Sequence, residues 1–107
     1  MNIDFEFIST MGVCQELGGR LRAHRLAQNM RQAELAEKAG VSKLTIINLE
    51  KKGTVTFHSF IQVVMALGLL NELTEVFKLQ SKSIAMMEAA DAAANRVRAS
   101  SRRKSVV

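Results

Sequence analysis

Residues 31–52, RQAELAEKAGVSKLTIINLEKK, carry two short helical patterns separated by a sharp break. Leu35, Ala36 and Ala39 mark the apolar side of the first, and Gly40 follows where a helix end commonly needs positive φ. Ser42 restarts the chain as an N-cap, able to accept from the amides of the next turn, and Ile46 and Leu49 then lie three apart on one face. The second pattern runs from Ser42 to about Lys51. Two helices joined through Ala39-Gly40-Val41-Ser42, with another helix before them and apolar helices after, make an arrangement that lets one helix protrude from a compact base.

The protruding helix has a side that the core does not claim. With Ile46 and Leu49 inward, the roughly 100° step per residue leaves Lys43, Leu44, Ile47, Asn48 and Lys51 outward or sideways. Ten residues at about 1.5 Å each span about 15 Å, comparable with a DNA major groove roughly 12 Å wide. A mixed row of donors, acceptors and methyl-seeking side chains is what reading base edges requires.

The flanking segments supply the base. Leu17, Leu21 and Leu26, with Arg20, Arg22 and Arg25 between them, predict a helix over residues 15–28; Phe57, Phe60, Ile61, Val64 and Leu67 predict another, broken by Gly68. Leu70, Leu73, Val76 and Phe77 predict a fifth. The chain has no proline, tryptophan or tyrosine, and 107 residues leave room for one core with short tails, so an all-α, five-helix domain is expected. It occupies residues 15–79, with an arm over 1–14 and a tail over 80–107. In the arm, Ile3, Phe5 and Phe7 alternate with Asp4 and Glu6 in strand periodicity, over too few residues to stand alone. Residues 83–98 are Ala-rich and predict a marginal helix; 99–107 have little to bury and predict disorder.

Charge is unevenly placed. Residues 20–52 hold eight Lys/Arg against three Glu, and residues 81–107 hold six bases against Glu88 and Asp91, while the first 19 residues carry only Asp4, Glu6 and Glu16. Clustered cations suit a polyanion, because phosphate contacts release condensed counterions. Cys14 is the single cysteine, which excludes an intrachain disulfide and a cysteine-based zinc site and fits a reducing compartment, the cytoplasm by default. No apolar stretch approaches the roughly 20 residues of a membrane span, and MNIDFEF lacks the positive start of a secretory signal. His24 and His58 have no second ligand cluster nearby, Glu34 and Glu37 form a solvated face, and no glycine loop resembles a phosphate cradle. A non-enzyme without metal or cofactor is expected.

From Leu17 to about Phe77 the chain resembles the Cro/C1-type helix-turn-helix domains of the Xre family, to which lambdoid phage repressors belong. The resemblance is carried by Arg25, Gln32-Ala33-Glu34-Leu35-Ala36, Gly40-Val41-Ser42, Thr45-Ile46, Leu49-Glu50 and Ala66-Leu67-Gly68. It implies a lambda-repressor-like fold and a regulator that binds double-stranded DNA, most simply as a repressor. A narrower similarity, in ALGLLNELTEVF followed by a basic tail, is to HipB-like antitoxins, which autoregulate their operons and bind HipA-type toxin kinases.

By position, the resemblance implies base contacts from Lys43, Leu44 and Asn48. It implies backbone contacts from Arg31, Gln32, Ser42, Thr45, Lys51 and Lys52, and a supporting ion pair between Arg25 and Glu50. Three positions depart from the family pattern. Arg31 stands where Ser, Thr or Asn usually caps the second helix, Ile47 is apolar where polar residues are common, and Gly53 falls one residue late. One recognition helix reads too little sequence, so a homodimer is expected, its two helices about 34 Å apart on a pseudopalindromic operator. Leu69, Leu70, Leu73, Val76 and Phe77 are the interface candidates, shared with the monomer core, and the arm is a second. Arg96, Arg98, Arg102, Arg103 and Lys104 either embrace the DNA backbone or form a charged end with no role.

Overall fold

The computed structural model describes residues 4–79 and 88–96, and among these every regular element is helical. Four α-helices, α1 (Thr10–Ala27), α2 (Gln32–Ala39), α3 (Lys43–Lys52) and α4 (Phe57–Ala66), lie between 3-10 turns at Phe5–Phe7 and Leu70–Leu73. Residues 88–96 are helical as well. The chain divides into two units, Met1–Thr74 and Glu75–Val107, and α1 to α4 belong to the first. The all-α class holds. No described helix is long and apolar enough to cross a membrane.

Three boundaries differ from the sequence pattern. α1 begins at Thr10, five residues before the leucine stripe suggests, because Ser9 caps it: the Ser9 hydroxyl accepts from the Gly12 amide at 3.0 Å. The Phe5–Phe7 stretch is a 3-10 turn and no strand; Asp4 caps it by accepting from Glu6 N–H at 3.0 Å, and the Phe5 ring lies 5.1 Å from the Arg20 guanidinium. A local side-chain cap competes with a ladder that has no partner strand. The fifth helix expected from Leu70 to Phe77 is a 3-10 turn ending at Leu73, and Phe77 takes φ 58°, which a right-handed helix cannot contain.

The core explains why α3 can be spared for another task. Leu21, Leu35, Ala36, Ala39, Ile46, Leu49, Val63, Val64, Ala66 and Leu67 are buried together, so α3 contributes only one side, Ile46 and Leu49, to the apolar centre. Each fully buried Leu, Ile or Val stabilises by about 1.5–3 kcal/mol relative to exposure. α1 crosses α3 so closely at Gly18 that a β-carbon there would collide with the Leu49 carbonyl. α2 packs on both α3 and α4.

The turn between α2 and α3 is set by backbone chemistry. Gly40 adopts φ 74°; its N–H donates to Glu37 O at 3.2 Å and that of Val41 to Ala36 O at 3.0 Å, the paired bonds of a Schellman end. Val41 then packs on the core, and Ser42 starts α3 immediately. α3 ends at a second left-handed glycine, Gly53 (φ 72°), whose N–H donates to Leu49 O at 3.0 Å. A β-carbon on Gly53 would run into the Cys14 backbone, so the late position of this glycine closes α3 directly against α1.

Candidate nucleic-acid interface

Ile46, Leu49 and Glu50 are the buried residues of α3. Everything else on the helix is at least partly accessible: Lys43, Leu44, Lys51 and Lys52 are exposed, and Thr45, Ile47 and Asn48 are half-buried. Leu44, an apolar side chain 63 % exposed in the first turn, stands outside the buried core and marks the outward side of the helix. Asn48 follows one turn later on the same side, and Lys43 flanks it. Donors, an amide and a branched apolar tip therefore share one ridge.

The start of α3 is firmly held. Ser42 Oγ accepts from the Thr45 amide at 3.1 Å and shares a 2.8 Å hydrogen bond with Thr45 Oγ1. Two hydroxyls carry two hydrogens, and one is used between them, so one remains to donate outward. The start of α2 is different. Arg31 sits at the cap with no side-chain acceptor, and only the reverse contact exists, Arg31 N–H to Glu34 Oε1 at 3.4 Å. Its side chain is 90 % exposed, with Nε 4.0 Å from Glu34 Oε1.

Behind the ridge lies a buried polar cluster. Arg25 Nε donates to Glu50 Oε2 at 2.6 Å and its terminal nitrogen to Oε1 at 3.0 Å, with side chains 7 % and 3 % exposed. The remaining guanidinium nitrogen donates to Met30 O at 2.7 Å, in the connection between α1 and α2. Hydrogen bonding to Glu50 raises the Arg25 pKa above its ordinary value against the opposing effect of burial, so the guanidinium stays charged. Gln32 joins from α2, its amide donating to Glu50 Oε1 at 3.1 Å. Every buried side-chain polar atom among the described residues has a partner. The cluster thus ties α1, α2 and α3 together directly beneath the outward face.

The other sequence-chosen residues separate into groups. Leu69 and Leu73 pack against the core, and Leu70 of the same turn is exposed. In the second unit Val76 and Phe77 are exposed, Phe77 completely. His24 and His58 are exposed. Arg96 is exposed in the 88–96 helix, while Arg98, Arg102, Arg103, Lys104 and Ile3 of the arm lie outside the described residues. Sequence reasoning missed Arg22. With Gln32, Ile47, Glu50 and Lys51 it lines an open depression of about 290 Å³ beside the ridge. The available signal was its place one turn before Arg25, on the side of α1 that meets α3.

A helix of ten residues, capped at a tight glycine turn and presenting a mixed, partly exposed face from a small helical base, is a helix-turn-helix arrangement. Residues 21–70 match the helix-turn-helix family. That stretch is a Cro/C1-type helix-turn-helix domain of the Xre family, a DNA-binding domain of transcription regulators. A comparison with curated proteins gave no match.

Proposed function

We propose that the chain is a repressor that binds a pseudopalindromic operator as a homodimer, inserting α3 of each copy into the major groove. The observation that carries this reading is the exposure of Leu44 beside Lys43 and Asn48, on a helix whose opposite side is fully engaged by the core. Lysine donates to guanine O6/N7, asparagine pairs with adenine N6/N7, and a leucine lies against a thymine methyl. Arg31, Gln32, Ser42, Thr45, Lys51 and Lys52 surround this row with cations and hydrogen-bond donors for phosphate, which position the helix without carrying sequence. Of the interface candidates, Leu70, Val76 and Phe77 are the ones with exposed surface to offer a second copy.

Selection of bound fragments from genomic DNA at two salt concentrations tests this reading. We expect an inverted repeat whose half-sites are one helical turn apart, and two copies of the chain bound per operator duplex. Asn48→Ala should relax preference at one base pair in each half-site, at about 1–3 kcal/mol each. Recovery of fragments with no shared sequence at either salt would overturn it.

A further inference from the structure

α4 carries apolar side chains on two opposite faces. Val63, Val64 and Ala66 are buried, and Phe60 packs on the same core. On the other side Phe57, Ile61 and Met65, spaced four apart, form a second stripe, with Phe57 80 % exposed, Met65 59 % exposed and Ile61 half-buried. A surface helix normally turns polar side chains away from the core. Here only His58 and Gln62 edge the outward stripe, and no Asp, Glu, Lys or Arg occurs from Gly53 to Asn71, in a chain with 15 Lys/Arg and 10 Asp/Glu. Aromatic and methionine side chains without charge are the makeup of an interface centre.

Two features select the occupant. The chain carries a net charge of +5, which opposes self-association, least where the surface is uncharged, and the outward side of α4 is such a surface. The stripe also complements itself. A twofold axis through Ile61, perpendicular to the helix, runs two α4 helices antiparallel, setting Ile61 against its own counterpart and Phe57 against the partner's Met65 at both ends. A thioether and an aromatic ring attract each other, so the two exposed side chains match in kind as well as in position.

We infer that Phe57, Ile61 and Met65 form the centre of an antiparallel α4–α4 contact with a second copy of this chain. This rests on the homodimer reading and deepens it by placing the centre of the interface on α4, with Leu70, Val76 and Phe77 outside that centre.

Sedimentation equilibrium of the full chain over a concentration series tests it, comparing wild type, Phe57→Glu, Met65→Lys, the double variant carrying both, and Phe77→Glu. The two α4 positions are about 12 Å apart along one helix, so the introduced charges do not pair within a copy, whereas across the twofold axis each faces the other. We expect each single α4 variant to weaken dimerisation about tenfold or more, the double variant to dimerise more tightly than either single, and Phe77→Glu to act more weakly. Unfolding midpoints should match wild type, because all three side chains are exposed. Wild-type dimerisation in both single α4 variants, or a double variant weaker than either, overturns the α4 contact and leaves the homodimer reading standing. A wild-type chain that stays monomeric at every concentration, free and with duplex DNA, overturns both.

Discussion

Two Arg–Glu pairs within 25 residues of each other serve opposite ends. Arg25 and Glu50 are both buried, joined by two hydrogen bonds, with the spare donor on Met30 O and the spare acceptor capacity on Gln32. Arg31 and Glu34 are on the surface, 4.0 Å apart, with the arginine almost wholly in water. The first pair cannot be read as a simple gain, because removing two charges from water costs several kcal/mol per ion before their attraction returns it. What it does supply is a shared tie: Glu50 of α3 accepts from Arg25 of α1 and from Gln32 of α2. The second pair is worth little to the fold, as exposed ion pairs contribute about 0–1 kcal/mol. It sits where a capping side chain would have stabilised α2, and a cation faces outward in its place.

The sharpest way to break this contrast is Glu50→Ala. It strands the Arg25 guanidinium in the core, and we expect a loss of about 3–5 kcal/mol in denaturant unfolding. That is a large share of the 5–15 kcal/mol typical of a whole domain, so unfolding should precede any failure to bind DNA. A loss below about 1 kcal/mol would mean that the buried pair is replaceable by water.

Arg31→Ser should move the other way. A serine at this cap accepts from the first-turn amides of α2, and we expect a gain of about 0.5–2 kcal/mol, read as a higher unfolding midpoint. If Arg31 is there for phosphate, the same variant binds DNA more weakly with a shallower salt dependence. Equal binding across a salt series would leave the missing cap without its offsetting role.

Glu34→Ala is the smallest effect of the three. It removes the 3.4 Å reverse cap and the loose surface pair together, and the change in stability should stay within about 1 kcal/mol. A loss as large as that of Glu50→Ala would erase the distinction between the two pairs.

The legibility of the chain follows the range of the forces involved. The break at Gly40, the cap at Ser42, the inward pair Ile46 and Leu49, and the stop at Gly68 are local in sequence, and the structure places a turn or a buried face at each. The start of α1 is not legible in periodicity because Thr10 to Cys14 show no leucine stripe, while the cap rests on the single residue Ser9. The helix expected through Phe77 fails for the opposite reason: apolar spacing continues past Leu73, whereas the 3-10 turn ends there and Phe77 takes φ 58°. Arg22 escaped notice because its relevance depends on Lys51 and Gln32, 29 and 10 positions distant, sharing its depression.

By itself the sequence determined that this chain forms short helices around an Ala-Gly-Val-Ser turn and that one of them has a face with no apolar use. Those outcomes depend on capping, left-handed glycine and helical spacing, all of which act within a few residues. Only the tertiary structure decided that Gly18 brings α1 against Leu49, that Gln32 donates to Glu50, and that Arg22 shares a depression with Lys51. Close approach, charge burial and convergent hydrogen bonding belong to pairs of groups far apart along the chain, and such pairs have no meaning until the helices have been set against one another.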